Sequence, residues 1–337
     1  MPAEHAITKP RILLSDSTAL ELADQIAAIF GRDGYVRVSA EAIHAGTADA
    51  DISFVSRDIT SNSTKQNILP STQYFYDALR AAKDLKWLHV HSAGADRQVF
   101  LDLLARGVTV TTSSGASASL VAQTALTGLL SLARRFPQLA AAQRAHEWAP
   151  FFKTGLPPDL EGQTATIVGW GPSGQKLGAW LTAIGLNVIV VRQSAESLVD
   201  GATVVSFANF ENVLPQTDWL LLACPLTTQT TNLVSAQALS RLKPSAHLIN
   251  VSRGAVVDEQ ALIDALQHDR LAGAYLDVFA QEPLPVASPL WDLKNVIATP
   301  HTAGFSDGIL QRMAQMFVQN LARWQRGEAL VNIVGKT

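Results

Sequence analysis

The sequence predicts two α/β domains, one of them built on a doubly wound parallel sheet. Three observations carry that reading. Strand-length apolar runs alternate with segments of helical period. The later runs are almost continuously apolar, as strands covered on both faces are. At 337 residues the chain is long for one hydrophobic core and comfortable for two. Composition points the same way: 47% of residues are apolar and only 16% charged, against roughly 25% charged in ordinary domains.

In order, the early strand candidates are RILLS (11–15), ISFVS (52–56), LKWLHVH (85–91) and VTVTT (108–112). SSGASAS (113–119) then breaks the pattern with small residues, as a helix-capping loop or a hinge between domains. A long helical segment is expected over about 120–148, with Arg134 and Arg135 as a charged helix end, followed by the loop TGLPPDLEGQ. The second strand series is TATIVG, NVIVVR, TVVSF, DWLLLAC, AHLINVS, AYLDVF and NVIATPH, with helical stretches such as DEQALIDALQ between several of them. The last segment, ILQRMAQMFVQNLARWQRG, spaces Ile309, Leu310, Met313, Met316, Phe317 and Leu321 at helical intervals. It is expected to return to the first domain. The expected domains are therefore 1–113 with 305–337, and 114–304.

Several function classes are disfavoured. Lys and Arg total 26 against 29 acidic residues, a formal charge of −3 with no basic stripe, so no nucleic-acid partner is expected. The longest apolar stretch, TALTGLLSLA, is too short to span a bilayer. The start, MPAEHAITKPRILL, lacks a basic region followed by an apolar run and a cleavage site, so a cytoplasmic protein is expected. No metal site is expected, and the single cysteine, Cys224, reads as core packing in an apolar strand.

GWGPSG places Gly169, Gly171 and Gly174 in G-x-G-x-x-G spacing, between a strand and the helical GQKLGAWLTAIG. The first glycine permits a tight turn, the second lets the backbone approach a pyrophosphate, and the third lets helix and strand pack closely. With Pro172 and Ser173, these residues open a helix whose N-terminus offers free N–H groups to phosphates. This is the pattern of a Rossmann-type dinucleotide site. Arg192 lies 18 residues beyond Gly174, near where a carboxylate would hold the ribose of NAD. The chain instead has Arg192, Gln193 and Ser194. A guanidinium there would pair with the 2′-phosphate of NADP and Ser194 could add a hydrogen bond; alternatively Arg192 points into solvent beside an NAD ribose.

Three later segments end apolar strands on ionisable residues: Arg253 in LINVSRGAVVDE, Glu282 in AYLDVFAQEPLP and His301 in NVIATPHTAG. Open α/β sheets bind ligands at such strand ends. Singly, each has a structural reading as loop cap, surface acid or buried imidazole.

Together with HSAGAD, DLEGQTATIVGWGPSG, CPLTTQT and SPLWDLKNVIATPHTAG, these segments resemble the D-isomer-specific 2-hydroxyacid dehydrogenase family, which includes glyoxylate and hydroxypyruvate reductases. The resemblance covers about 85–304. It implies a flavodoxin-like α/β substrate domain beside the cofactor domain, and Arg253, Glu282 and His301 as the catalytic trio. It implies that Asp277 contacts the nicotinamide carboxamide, that Cys224, Pro225, Thr231, Val251, Ser252, His301 and Ala303 help to bind the cofactor, and that Ser92, Ala93 and Gly94, with Arg253 and His301, bind substrate.

In the implied reaction His301, as imidazolium, protonates the oxygen of a 2-keto acid while hydride reaches its carbonyl carbon. Glu282 favours and orients the imidazolium, and Arg253 offers a planar fork to the substrate carboxylate. Ala303 stands where the family often has glycine, and Glu282 where formate dehydrogenases of this architecture have glutamine, which argues against formate. The resemblance also suggests a homodimer through the cofactor domains. Trp148 is then either a residue near the partner's substrate or plain helix-end packing. Arg57 either meets a second polar group on the substrate or is a solvated loop cation. The expected function is reduction of a small 2-keto acid with NADP(H); an NAD-linked dehydrogenase and a dinucleotide-sensing corepressor remain alternatives.

Overall fold

The structure, a computed structural model, describes residues 9–64, 67–153, 155–194, 199 and 201–335. The residues read for a leader therefore lie largely outside those described. The chain forms two compact units, Met1–Ala116 with Asp307–Thr337, and Ser117–Ser306.

The first unit is a parallel sheet of β1 (Arg11–Leu13), β2 (Val36–Val38), β3 (Ile52–Val55), β4 (Trp87–Val90) and β5 (Thr109–Thr112), in the order β2-β1-β3-β4-β5. That is the flavodoxin-like strand order. Strand alternation sends neighbouring residues to opposite faces. Leu13 and Val55 join Phe75, Leu79, Val99 and Leu103 of the helices Pro70–Ala81 and Gln98–Ala105. Ile12, Ile52 and Phe54 join Ile26, Phe317 and Leu321 on the other side. The C-terminal helix Ile309–Gln325 belongs to this second face, with Phe317 stacked 4.7 Å from the Phe54 ring and 5.6 Å from Trp87. Strand β2 was not expected: three residues at a sheet edge, with Val36 45% exposed, leave too little apolar pattern to notice.

The second unit is a seven-stranded parallel sheet of β6 (Thr164–Val168), β7 (Asn187–Arg192), β8 (Ala202–Ser206), β9 (Trp219–Leu222), β10 (His247–Asn250), β11 (Gly273–Leu276) and β12 (Val296–Ala298), in the order β12-β11-β10-β9-β6-β7-β8. Apolar cores line both faces, which is why these strands read as continuous apolar runs. β6 pairs with β7 on one side and β9 on the other, so strand order reverses at β6 and opens a crevice at its C-terminal end.

One expectation is corrected. The helical segment over 120–148 is two helices, Ala118–Ala133 and Phe136–Arg144. Arg134 caps the first and Arg135 turns left-handed, with φ 54°. Pro137 is the cause: it lacks an N–H and would clash with the carbonyl of Ala133 in a continuous helix, whereas in the first turn of a new helix it is tolerated. Among the described residues no helix is long and apolar enough to cross a membrane, and no group of three or more His, Cys, Asp or Glu could hold a metal ion.

Candidate active site

Because every strand of the second sheet is parallel, the segments singled out from the sequence emerge on one edge. Gly169 follows β6, Arg192 ends β7, Cys224 follows β9, Val251–Arg253 follow β10, Asp277 and Glu282 follow β11, and Thr299–Ala303 follow β12. From β11 to β7 there are four strand intervals, about 19 Å at the usual spacing. The ionisable trio therefore lies to one side of the glycine loop and Arg192 to the other.

The three glycines of the loop have separate physical reasons. Gly169 has φ +101°, and a Cβ there would sit 2.6 Å from Cys224 Cα and N. A Cβ on Gly174 would lie 2.1 Å from the Gly169 carbonyl oxygen, so helix Pro172–Ala183 starts hard against the turn. A Cβ on Gly171 would meet nothing within 4 Å. That open side is where a phosphate can reach the backbone, and Gly171, Pro172 and Ser173 lie exposed or half-exposed beside it at the helix N-terminus. The loop thus fits a dinucleotide pyrophosphate.

Arg192 is half-buried at the end of β7, and Gln193 and Ser194 are exposed beyond it. Pro225 and Thr231 are exposed, Val251 is half-buried, and Ser252 and Ala303 are buried. Cys224 is buried; burial pushes its thiol up to about 12, so it is an uncharged core group whose main chain abuts Gly169.

His301 and Glu282 meet directly, with His301 Nδ1 2.7 Å from Glu282 Oε2. The other carboxylate oxygen, Oε1, accepts from the Phe279 N–H at 3.1 Å. Burial pushes the Glu282 carboxyl up, but the His301 hydrogen bond and charge, the Phe279 N–H and the Arg253 charge outweigh it and hold the group below its ordinary range. With Nδ1 committed to Glu282, Nε2 is the ring atom left for another partner. Arg253 is placed by its loop: Asn250 Oδ1 accepts from Ser252 N and Oγ, Asn250 Nδ2 donates to the Arg253 carbonyl at 3.1 Å, and Arg253 Nη1 donates to the Ser252 carbonyl.

Three residues that sequence reasoning passed over hold this cluster together. A Cβ on Gly254 would lie 1.9 Å from the Phe279 carbonyl carbon, so the Arg253 loop packs backbone to backbone on the Glu282 loop. Glu259 Oε2 accepts from Ala280 N at 2.8 Å and ties the same loop to the next helix. Asn250 is 1% exposed and organises the turn into Arg253. The glycine next to Arg253 was the available signal; the other two look ordinary in sequence.

Asp277 is 1% exposed and accepts three hydrogen bonds from the 299–303 segment: Thr299 Oγ1 at 2.7 Å, Thr302 N at 2.9 Å and Ala303 N at 2.9 Å. Its carboxylate is thus engaged with the loop that carries His301, beside the role the resemblance implies for it.

In the first unit, Ser92, Ala93 and Gly94 follow β4, and Ser92 Oγ donates to the Gly94 carbonyl at 2.6 Å. Among the described residues neither the Ala93 nor the Gly94 N–H donates to a protein acceptor. Arg57 opens a short helix after β3 and is half-buried; burial and the nearby Arg97 charge lower its proton affinity, so it is not a fully solvated cation. Trp148 is 95% exposed and does not pack on its own chain.

Residues 126–303 match the family model for the D-isomer specific 2-hydroxyacid dehydrogenase NAD-binding domain. The chain is 34% identical to a glyoxylate reductase of Thermofilum pendens over 76% of this chain and 77% of that one. It is 35% identical to glyoxylate/hydroxypyruvate reductase B of Pectobacterium carotovorum, over 83% of this chain and 89% of that one. A D-isomer specific 2-hydroxyacid dehydrogenase of Xanthobacter autotrophicus, solved with NADPH and MES, superposes with a TM-score of 0.74 at 27% identity, covering 97% of this chain and 98% of that one.

Proposed function

Given that the chain belongs to the D-isomer specific 2-hydroxyacid dehydrogenase family, we propose that it is an NADP-preferring reductase of small 2-keto acids of the glyoxylate and hydroxypyruvate class. The observation that carries the reaction is the His301–Glu282 pair at 2.7 Å, beside the Arg253 loop and on the sheet edge that bears the glycine loop.

The residues present fit a dinucleotide. The Gly171 side is open, the helix N-terminus presents its N–H groups, and Arg192 ends the strand after the loop. When bound, the reduced nicotinamide supplies a hydride to the substrate carbonyl carbon. The protein's own part is to bind and to move a proton. His301, held at Nδ1 by Glu282, delivers the Nε2 proton to the carbonyl oxygen as negative charge grows there. Arg253 holds the carboxylate and polarises the carbonyl. In the first unit, the Ala93 and Gly94 N–H groups, which donate to no protein acceptor among the described residues, are of the kind that suits a carboxylate. Arg192 would match the added charge of a 2′-phosphate, and the Xanthobacter autotrophicus neighbour was solved with NADPH.

A homodimer formed through the second unit belongs to this reading. Phe136, Trp148, Phe152 and Leu156 are 60%, 95%, 89% and 64% exposed along one stretch of the sequence of that unit, apolar side chains of the kind that a subunit interface covers. The test of function is loss of absorbance at 340 nm from NADPH with a panel of 2-keto acids. Turnover of none of them would leave only dinucleotide binding, the corepressor-like alternative.

A further inference from the structure

His301 sits in a backbone conformation that it cannot hold alone. Its φ is +51°, in the left-handed region that costs a non-glycine residue energy and persists only where the surroundings over-determine it. Its N–H donates to the carbonyls of Asp277 at 2.8 Å and Thr299 at 2.9 Å, the second closing a tight turn around Pro300. The residues on both sides are pinned to one carboxylate: Thr299 Oγ1 and Thr302 N to Asp277 Oδ1, and Ala303 N to Oδ2.

Thr299 has a second partner, the Tyr275 hydroxyl, at 2.8 Å. Hydrogen-bond bookkeeping orders this pair. Thr299 Oγ1 donates its single proton to Asp277 Oδ1, so the Tyr275 hydroxyl must donate to Thr299 Oγ1. Tyr275 is 5% exposed, and its ring lies 2.4 Å from where a Gly128 Cβ would be, so helix Ala118–Ala133 fixes the ring. A chain of donors thus runs from buried Tyr275 through half-buried Thr299 to buried Asp277, and it ends on the segment that carries the imidazole.

We propose that Thr299 is a positioning residue for His301, setting the direction of the imidazole by locking the Asp277 carboxylate and the 299–303 turn together. The inference rests on His301 being the proton donor. Thr299 does not touch the reacting atoms. Its hydroxyl acts through Asp277, and its methyl group alone cannot replace it, because the isosteric Thr299→Val leaves Tyr275 without an acceptor and removes one of two donors from Asp277 Oδ1.

The experiment compares T299V, T299S and H301A for NADPH-dependent reduction of the best keto acid, with thermal melts alongside. In T299V, kcat should fall roughly 10-fold or more, as for a misplaced catalytic group, while KM for both substrates stays close to the parent and the melting temperature drops only modestly, as for one unpaired buried hydroxyl. T299S keeps the hydroxyl and should restore most of kcat; should T299V fail to fold, T299A against T299S carries the same comparison. An inactive H301A beside a T299V with parental kcat overturns this inference alone, and so does equal damage in T299V and T299S, which would mark a packing role. An H301A that turns over normally overturns this inference together with the reading it rests on.

Discussion

His301 Nδ1 and Glu282 Oε2 lie 2.7 Å apart although their residues are separated by a strand and two loops. The carboxylate is the more buried partner, with 24% of its side chain exposed against 48% for the imidazole. The pair therefore presents one ring nitrogen outward and hides the acid that steadies it.

Glu282→Gln should lower kcat for keto-acid reduction. A neutral amide accepts at Nδ1 without favouring the imidazolium, and losing one charge-assisted hydrogen bond of about 1.5–3 kcal/mol corresponds to about 10- to 100-fold. The sign with pH follows from the direction of the Glu282 shift. The folded-state carboxyl titrates below its ordinary value, so its contribution is complete above that value and is lost as pH falls through the depressed one. Initial rates across an acidic pH series should hold below the ordinary glutamate range; a parent enzyme already losing the pair at ordinary glutamate pH would count against this pairing.

Arg192→Asp should reverse cofactor choice. The carboxylate repels a 2′-phosphate and can accept from ribose hydroxyls, a change of roughly 10- to 100-fold in the ratio of kcat/KM for NADPH over NADH. Steady-state kinetics with both cofactors checks this, and an unchanged ratio would return Arg192 to a solvent-facing role.

Gly254→Ala should damage both stability and turnover. The added Cβ meets the Phe279 carbonyl carbon at 1.9 Å and backbone must move, at a cost of about 1–3 kcal/mol. The movement separates the Arg253 loop from the Glu282 loop, so kcat should fall further than in a surface glycine variant such as Gly335→Ala, where a Cβ meets nothing within 4 Å. Thermal melts and kinetics on the two variants make the comparison; equal turnover would show that Arg253 is positioned by other contacts.

Acid should destabilise the first unit through two histidines, His89 buried and His91 half-buried. Burial lowers His89 to about 3, and burial with the charges of Arg57 and Arg97 lowers His91 to about 3. Both are depressed, so the neutral form is the folded one: their contribution is complete above the unfolded value near 6.5 and is lost as pH falls toward 3. Each histidine adds a slope of about 1.4 kcal/mol per pH unit in that window. Denaturant titrations from pH 7 to 4 should show stability falling with acid, and His89→Gln should flatten the trend. A flat parent profile would contradict it.

Much of the site was legible because its residues stand next to features with strong local rules. The glycine spacing, the apolar runs and the strand-end positions of Arg253, Glu282 and His301 are all one-dimensional patterns. Strand β2 and the break at Pro137 were not read correctly: the first has almost no pattern, and the second hides inside an apolar stretch whose helical period continues across it.

What the sequence by itself determined is the class of each strand and the identity of the ionisable groups, since periodicity and residue chemistry are local. Which groups touch was decided only by the tertiary structure. The Gly254 backbone approach, the Asn250 clamp and the Tyr275–Thr299–Asp277 chain bring together residues far apart in sequence, and their partners depend on strand order and register. A hydrogen bond needs its two atoms within about 3 Å, and that closeness is a property of the packed sheet edge, not of any stretch of chain along it.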